Sequence, residues 1–382
     1  MKHVLNTINR NADIIAGNED LELVYSFKNF PVFMGCVTTQ QSEDLVSDMH
    51  IYISRLSGML QLNPVLPLDI VYQIEHNPGT TGKGWLDHHK AFADFIAPYK
   101  PRNVFEIGGA HGILSQNYHD LHPGTQWTIL EPNPVPGPKL MAKMIKGFFK
   151  DISQIPVGTD MVVHSHVLEH MYEPKAFCET LSKLPVGTKV CFSVPALRKH
   201  LLGQFTNTLN FEHTYFCTEE YIEWMMGSYG FDLLDRTYHG DDHSVFYACI
   251  KVDRPTQFYE VPQNYQENKG MFINYIEFHE TLIRKINKEI ENAPGKVYLF
   301  GAHVFSQFLL SFGLNRNKIE CILDNSPAKQ GKRLYGTDLM VKSPDIIAEE
   351  FNPTIILRTG VFNQEIKHQI LGSVNSNTTF LE

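Results

Sequence analysis

The chain has 382 residues, 43% hydrophobic and 20% charged, with a formal net charge of −9. That length predicts two or three domains with sizeable cores, and an acidic balance with no Lys/Arg run excludes a nucleic-acid backbone as a partner. No run reaches the ~18 apolar residues that span a bilayer and residues 1–20 hold no apolar signal core, so a cytoplasmic protein is expected, with its six scattered cysteines as reduced thiols.

Residues 1–60 have weak periodicity, with short strands expected at 21–25 and 32–34 and an apolar but irregular stretch at 48–62. The segment His76-Asn77-Pro78-Gly79-Thr80-Thr81-Gly82-Lys83-Gly84 breaks regular structure with three glycines and a proline. It is too short for a Walker loop, and reads either as a lid over a bound ligand or as a capped surface turn. Residues 85–99 follow, with Trp85, His88, His89, Phe92, Phe95 and Ile96 at helical spacing.

Next comes Val104-Phe105-Glu106-Ile107-Gly108-Gly109-Ala110-His111-Gly112: an apolar strand ending in an acid, a small-residue turn, then a helix from about Ile113. Small residues let a ligand lie against the backbone, and the helix start offers free N–H groups. A dinucleotide fold wants Gly-x-Gly-x-x-Gly. Here the third glycine falls one place early, and Glu106 stands where such folds carry an apolar residue. An acid before the first glycine suits a cofactor with a cationic amine and no pyrophosphate, such as S-adenosylmethionine. A tight turn in any α/β domain is the plain alternative.

Between 103 and 252, strand-like runs at 104–107, 127–130, 161–166 and 189–194 alternate with helical patterns that include 174–184. This predicts a parallel sheet covered on both faces. The block closes with a helix at 218–229 and a hairpin of strands 231–238 and 243–252. A doubly wound sheet ending in an antiparallel hairpin is the layout of the methyltransferase fold, whereas a dehydrogenase would continue with another parallel crossover. Ligands of such sheets bind beyond the carboxyl ends of the strands. Glu131 at the second end matches a ribose diol, Asp151 after the third offers an acceptor to adenine, and His166 ends the fourth. The run His166-x-x-Glu169-His170 also fits an inverted zinc-protease pattern, but it straddles a strand end without a third ligand downstream. The long loop 196–217 carries Glu212-His213. A histidine is the natural general base near neutral pH and a neighbouring acid can position it, although a structural histidine is the default for such a pair alone.

Residues 254–270, rich in Pro, Gln, Asn and Glu, read as a linker, and 271–292 as a helix with one apolar face. A strand at 296–300, the turn Gly301-Ala302, a helix at 304–312, a strand at 319–323 and Asp324 repeat the logic of the first glycine turn. A second nucleotide-binding-like unit is expected. Its loop 325–336 carries Lys329, Lys332 and Arg333, suited to phosphates or to a solvated surface. A strand at 354–357 follows, with 360–365 lining the same cleft.

The runs 106–112, 164–170 and Phe211-Glu212-His213-Thr214-Tyr215-Phe216, with Gly301-Ala302-His303 and 324–331, together resemble the S-adenosylmethionine-dependent sugar methyltransferases, nearest the deoxysugar C-methyltransferases. The resemblance covers most of residues 60–382. It implies His213 as the base and Glu212 as its support. It also implies that Glu106, Gly108, Gly109, Gly112, Glu131, Asp151 and His166 hold the cofactor, and that the nucleotide of the sugar lies between the central and C-terminal domains, with Lys83, Tyr215, Lys329 and Arg333 on the substrate. There are two departures. The family's N-terminal zinc module has a Cys-x-x-Cys where this chain has Ser54-Arg55-Leu56-Ser57, and Ser cannot replace a thiolate, so no metal is expected. A sugar-facing tyrosine is also missing, and His76 stands in its place as a third catalytic candidate.

The expected architecture is therefore α/β. It has a degenerate zinc-module-like segment (1–75), a class I methyltransferase domain (76–253), a linker and long helix (254–295) and a Rossmann-like domain (296–382). The expected function is methylation of a nucleotide-linked sugar, on oxygen or on carbon beside a keto group, for a cell-surface polysaccharide or a secondary-metabolite sugar. The alternative is a nucleotide-sugar oxidoreductase using a dinucleotide. No membrane partner is expected, and a homodimer is allowed for.

Overall fold

The computed structural model describes residues 5–72, 82–138, 140–240 and 243–382. The first elements are the antiparallel strands β1 (Leu21–Pro31), β2 (Val46–Ser54) and β3 (Leu60–Leu62). Strand alternation sends Met49, Ile51 and Ile53 of β2 to one face, and all three are buried. Of the two strands expected before residue 35 only the first forms: β1 absorbs register shifts after Leu23 and Phe27 and runs on to Pro31, while 32–34 are bend and loop. At the degenerate knuckle Ser54 and Ser57 are fully buried. Ser54 Oγ donates to Asp20 Oδ1 at 2.9 Å and Ser57 Oγ to Asp13 Oδ2 at 2.5 Å. The same carboxylates accept from the amides of Leu56 and Ile15. A serine–aspartate network thus closes this turn.

The central domain runs α1 (Lys83–Ile96), β4 (Asn103–Ile107), α2 (Ile113–Leu121), β5 (Gln126–Glu131), β6 (Lys143–Lys146), β7 (Met161–Ser165), α3 (Pro174–Leu181), β8 (Lys189–Pro195), β9 (Tyr215–Phe216), α4 (Glu219–Ser228), β10 (Phe231–His239) and β11 (Ser244–Lys251). Seven of these strands form one sheet in the order β10-β11-β8-β7-β4-β5-β6. The pairs from β8 to β6 are parallel, and β11 joins β8 and β10 antiparallel. This is the expected doubly wound sheet with its terminal hairpin. The third strand ends at Lys146, so Asp151 lies five residues past it. Alternation splits the core between the two faces. Val104, Ile129, Met161 and Val163 meet Phe92, Ile96, Leu114 and Tyr118 of α1 and α2. Phe105, Ile107, Val162 and Phe192 meet Phe177 of α3 and Tyr221 and Met225 of α4.

The loop after β8 leaves the central sheet, because β9 pairs with β3 and completes the order β1-β2-β3-β9. Helix α5 (Tyr265–Glu291) starts six residues before the expected helix, inside the expected linker. Tertiary contacts decide this: Asn268 is buried and its Nδ2 donates to Gly58 O at 3.0 Å and Tyr221 Oη at 2.9 Å. The C-terminal unit comprises β12 (Val297–Phe300), α6 (Val304–Ser311), β13 (Ile319–Leu323), β14 (Val341–Lys342), β15 (Thr354–Leu357), α7 (Asn363–Gln369) and β16 (Thr379–Leu381). Its sheet is parallel throughout, ordered β14-β13-β12-β15-β16. One core joins Phe27 and Ile51 of the first sheet to Phe211, Phe216, Phe272 of α5 and Phe308 of α6. Among the described residues no helix is long and apolar enough to cross a membrane.

Candidate active site

The glycine turn follows β4 at the carboxyl edge of the central sheet. Gly108 and Gly112 take φ of +76° and +73°, a region where side chains are strained. A Cβ on Gly108 would stand 2.7 Å from Val167 Cγ2, one on Gly109 2.5 Å from Ile129 Cγ2, and one on Gly112 2.3 Å from Leu140 Cδ1. The turn therefore packs directly against the segment after β7. Glu106 lies beneath it, 2% exposed, accepting from Trp127 Nε1 at 2.7 Å. Burial raises its pKa to about 7, partly offset by the Trp127 hydrogen bond. Glu106 thus lies directly against the turn, its Oε1 3.0 Å from where a Cβ on Gly109 would stand.

Glu131 closes the turn from the side. Its Oε2 accepts from Ala110 N at 3.0 Å and its Oε1 from Asn133 N at 2.9 Å. A carboxylate keeps further lone pairs after two such bonds, so Glu131 can still receive a ribose diol at the edge of the turn. The C-terminal unit repeats the device: Asp324 Oδ2 accepts from Ala302 N at 2.8 Å and Oδ1 from Ser326 N at 2.9 Å. There, Lys329 Nζ sits 2.9 Å from Asp324 Oδ2. Asp151 is exposed and caps the short helix 152–154 through Ser153.

A second cluster is carried in part by residues 168–170, which follow Val167, the neighbour of Gly108. His213 is carried by the loop that crosses to the first sheet, and buried Asn210 holds that loop, its Oδ1 accepting from Glu212 N at 2.8 Å and His213 N at 3.0 Å. Ligand-type atoms of Glu169, His170 and His213 lie within 4.8 Å of one another. The rings of His170 and His213 meet edge to face at 4.9 Å. His170 Nδ1 is 3.1 Å from Tyr72 Oη and 3.9 Å from Glu212 Oε2. Burial, reinforced by His170, lowers the pKa of His213 to about 4, against the opposing pull of Glu169 and Glu212, so its imidazole is neutral at pH 7. Glu169 is 7% exposed; burial raises its pKa, but His166, His170 and His213 outweigh that and hold it ionised.

Of the expected catalytic residues, His213 and Glu212 are brought together and His76 lies outside the described residues. Lys83 is exposed at the start of α1. Tyr215 is corrected as a substrate contact: it is 2% exposed and its hydroxyl donates to Leu168 O. Arg333 is corrected too, since its guanidinium is held by both oxygens of Asp44 at 2.6 Å and by Thr39 O at 2.6 Å. His166 turns its ring away from the glycine turn, to Glu169 and Ser244. His170 and Tyr72 enter the base cluster without having been assigned to it. The run His166-x-x-Glu169-His170 carried a signal for His170, but a zinc-type helix would have put both histidines on one face. Here residues 168–170 form a single tight turn that splits the two histidines between clusters.

Residues 85–236 match the model of a methyltransferase domain, and residues 264–381 that of a C-methyltransferase C-terminal domain. Similar solved structures include mitomycin 7-O-methyltransferase, at 13% identity over 44% of this chain and 54% of that one, with a TM-score of 0.35. Human N-acetylserotonin methyltransferase in complex with S-adenosylmethionine follows at 16% identity over 48% and 58%, TM-score 0.35. A Pyrococcus horikoshii OT3 protein is similar at 12% identity over 45% and 93%, TM-score 0.37. The chain spans about half the length of the first two. No curated protein sequence matches it. Residues 85–236 are thus similar to a methyltransferase domain, and the human N-acetylserotonin methyltransferase structure holds S-adenosylmethionine.

Proposed function

We propose that this chain methylates a nucleotide-linked sugar, with His213 as the general base. One observation carries the reading: a half-buried, neutral histidine has its ring nitrogen within 4.8 Å of ligand-type atoms of Glu169 and His170, on the segment whose Val167 packs against Gly108 of the glycine turn. Glu131 and the turn amides hold the donor, and Glu106 keeps the turn in shape from beneath. When bound, S-adenosylmethionine supplies an electrophilic methyl group on a sulfonium. His213 would take the acceptor's proton and so leave the acceptor's electron pair ready for that methyl group. His170, placed by Tyr72 and Glu212, packs edge to face against His213 and so fixes its ring, while the carboxylates of Glu169 and Glu212 favour the imidazolium that forms. The C-methyltransferase C-terminal domain match supports carbon, beside a sugar carbonyl, as the acceptor atom. The nucleotide of the sugar lies against the C-terminal unit, where Lys329 is the nearest cation to its acid-and-turn motif.

His213→Ala should lower kcat by ~10²–10⁴, the usual worth of a positioned base, with donor affinity by calorimetry unchanged. Full turnover of candidate nucleotide-linked keto sugars by this variant would remove His213 from the chemistry.

A further inference from the structure

Five histidines, His88, His89, His166, His239 and His243, pack against one another, and three of them converge. His88 comes from α1, His166 from the turn after β7, and His243 directly precedes β11. One ring nitrogen of each lies within 4.8 Å of the others. One nitrogen of each also points at a single buried atom, Ser244 Oγ: His166 Nε2 at 2.7 Å, His243 Nδ1 at 2.6 Å and His88 Nδ1 at 3.2 Å. We infer that His88, His166 and His243 form a binding site for one divalent transition-metal ion.

The outer nitrogens support this. His166 Nδ1 is 2.9 Å from Glu169 Oε1, and His88 Nε2 is 3.0 Å from Ser165 Oγ, itself 2.9 Å from Ser193 Oγ. A ring nitrogen anchored to a carboxylate or hydroxyl fixes the tautomer that leaves the other nitrogen's lone pair facing inward, the usual support of a metal-bound histidine. Trp85 shields the trio, with ring centroids 5.3, 4.8 and 4.7 Å from those of His88, His166 and His243. Burial and the neighbouring imidazoles keep His88 and His243 below their ordinary pKa, so both are neutral, as ligation requires. An all-imidazole donor set suits zinc, cobalt, nickel or copper rather than the oxygen-seeking magnesium or calcium. The three residues lie far apart in sequence, so no local spacing reveals them, and the expectation of a metal-free chain was drawn from other positions. Without an ion, the Ser244 hydroxyl can donate its one proton to only one of the inward lone pairs, so it does not satisfy them all. Through Glu169 the site joins the base cluster, so an ion on His166 would fix that carboxylate for His170 and His213.

The test uses the full chain, stripped with a chelator and titrated with cobalt(II) alone, read by visible d–d absorption and by equilibrium dialysis, then displaced with zinc(II). One ion per chain is expected. Binding should be lost in His243→Asn and His88→Gln, kept in His213→Ala, and weakened about 10–100-fold in Glu169→Gln as an outer-shell change. His243 is only partly buried, and far-UV circular dichroism identifies which variants fold; His243→Asn decides if His88→Gln does not. Absence of saturable binding in the parent overturns the assignment. So does binding that survives in folded His243→Asn, or loss in His213→Ala alone, which would move the ion to the base cluster.

Discussion

Glu106 is a buried acid that lies directly against the glycine turn. Its carboxyl is 2% exposed and its pKa is raised from 4.5 to about 7 by burial. A raised folded-state pKa contributes stability that is fully present below 4.5 and is lost as pH rises through about 7. Glu106→Gln keeps an acceptor for Trp127 Nε1 and removes the charge. The variant should match the parent at pH 4 and exceed it at pH 8 by roughly 3 to 3.5 kcal/mol, the equivalent of that shift. Urea unfolding at both pH values measures this, and a pH-independent difference would mean that packing, not ionisation, sets the cost. The acids Glu131 and Asp324 were legible as strand-end carboxylates. That each would hold the amide of the alanine in its own turn was not, because a sequence does not say which way a turn amide points.

At the scale of elements, the N-terminal segment and the C-terminal unit are tied by one ion pair. Arg333 and Asp44 have side chains only 9% and 3% exposed, with two 2.6 Å contacts. Breaking a buried pair from one side leaves an uncompensated charge, worth about 3–5 kcal/mol. Asp44→Ala should lose that much in chemical denaturation, whereas the joint change Asp44→Leu with Arg333→Met should recover most of it. If the double variant is as weak as the single one, the pair is needed for more than neutralising Arg333. The basic loop pattern around Lys329, Lys332 and Arg333 suggested phosphate contacts, but a distant carboxylate in the chain claimed Arg333. The early start of α5 has a similar cause, since Asn268 is satisfied by Gly58 and Tyr221, partners over 40 residues away.

For the whole molecule, burial of histidines sets the response to acid. His88, His89, His164, His213, His243 and His279 all have lowered pKa values, burial being the largest cause in each. Groups depressed in the folded state contribute stability that is present above the unfolded value of about 6.5 and is lost as pH falls toward about 4. The metal-free protein should therefore lose thermal stability steeply between pH 6.5 and 4, against the smaller opposite trend from Glu106. Scanning calorimetry across that range checks this. A flat melting temperature would mean that these rings open to water before the fold gives way.

The sequence alone determined the alternation of strand and helix, the closing hairpin and the two acid-and-glycine turns. These are local patterns, fixed by periodicity and by residues that small-radius turns demand. Tertiary structure decided that His170 and Tyr72 stand with His213, that Tyr215 and Arg333 are spent on the fold, and that His88, His166 and His243 face one serine hydroxyl. Each of these depends on segments more than 40 residues apart being packed together, and side-chain partnership across such distances is set by the shared core rather than by any neighbour in the chain.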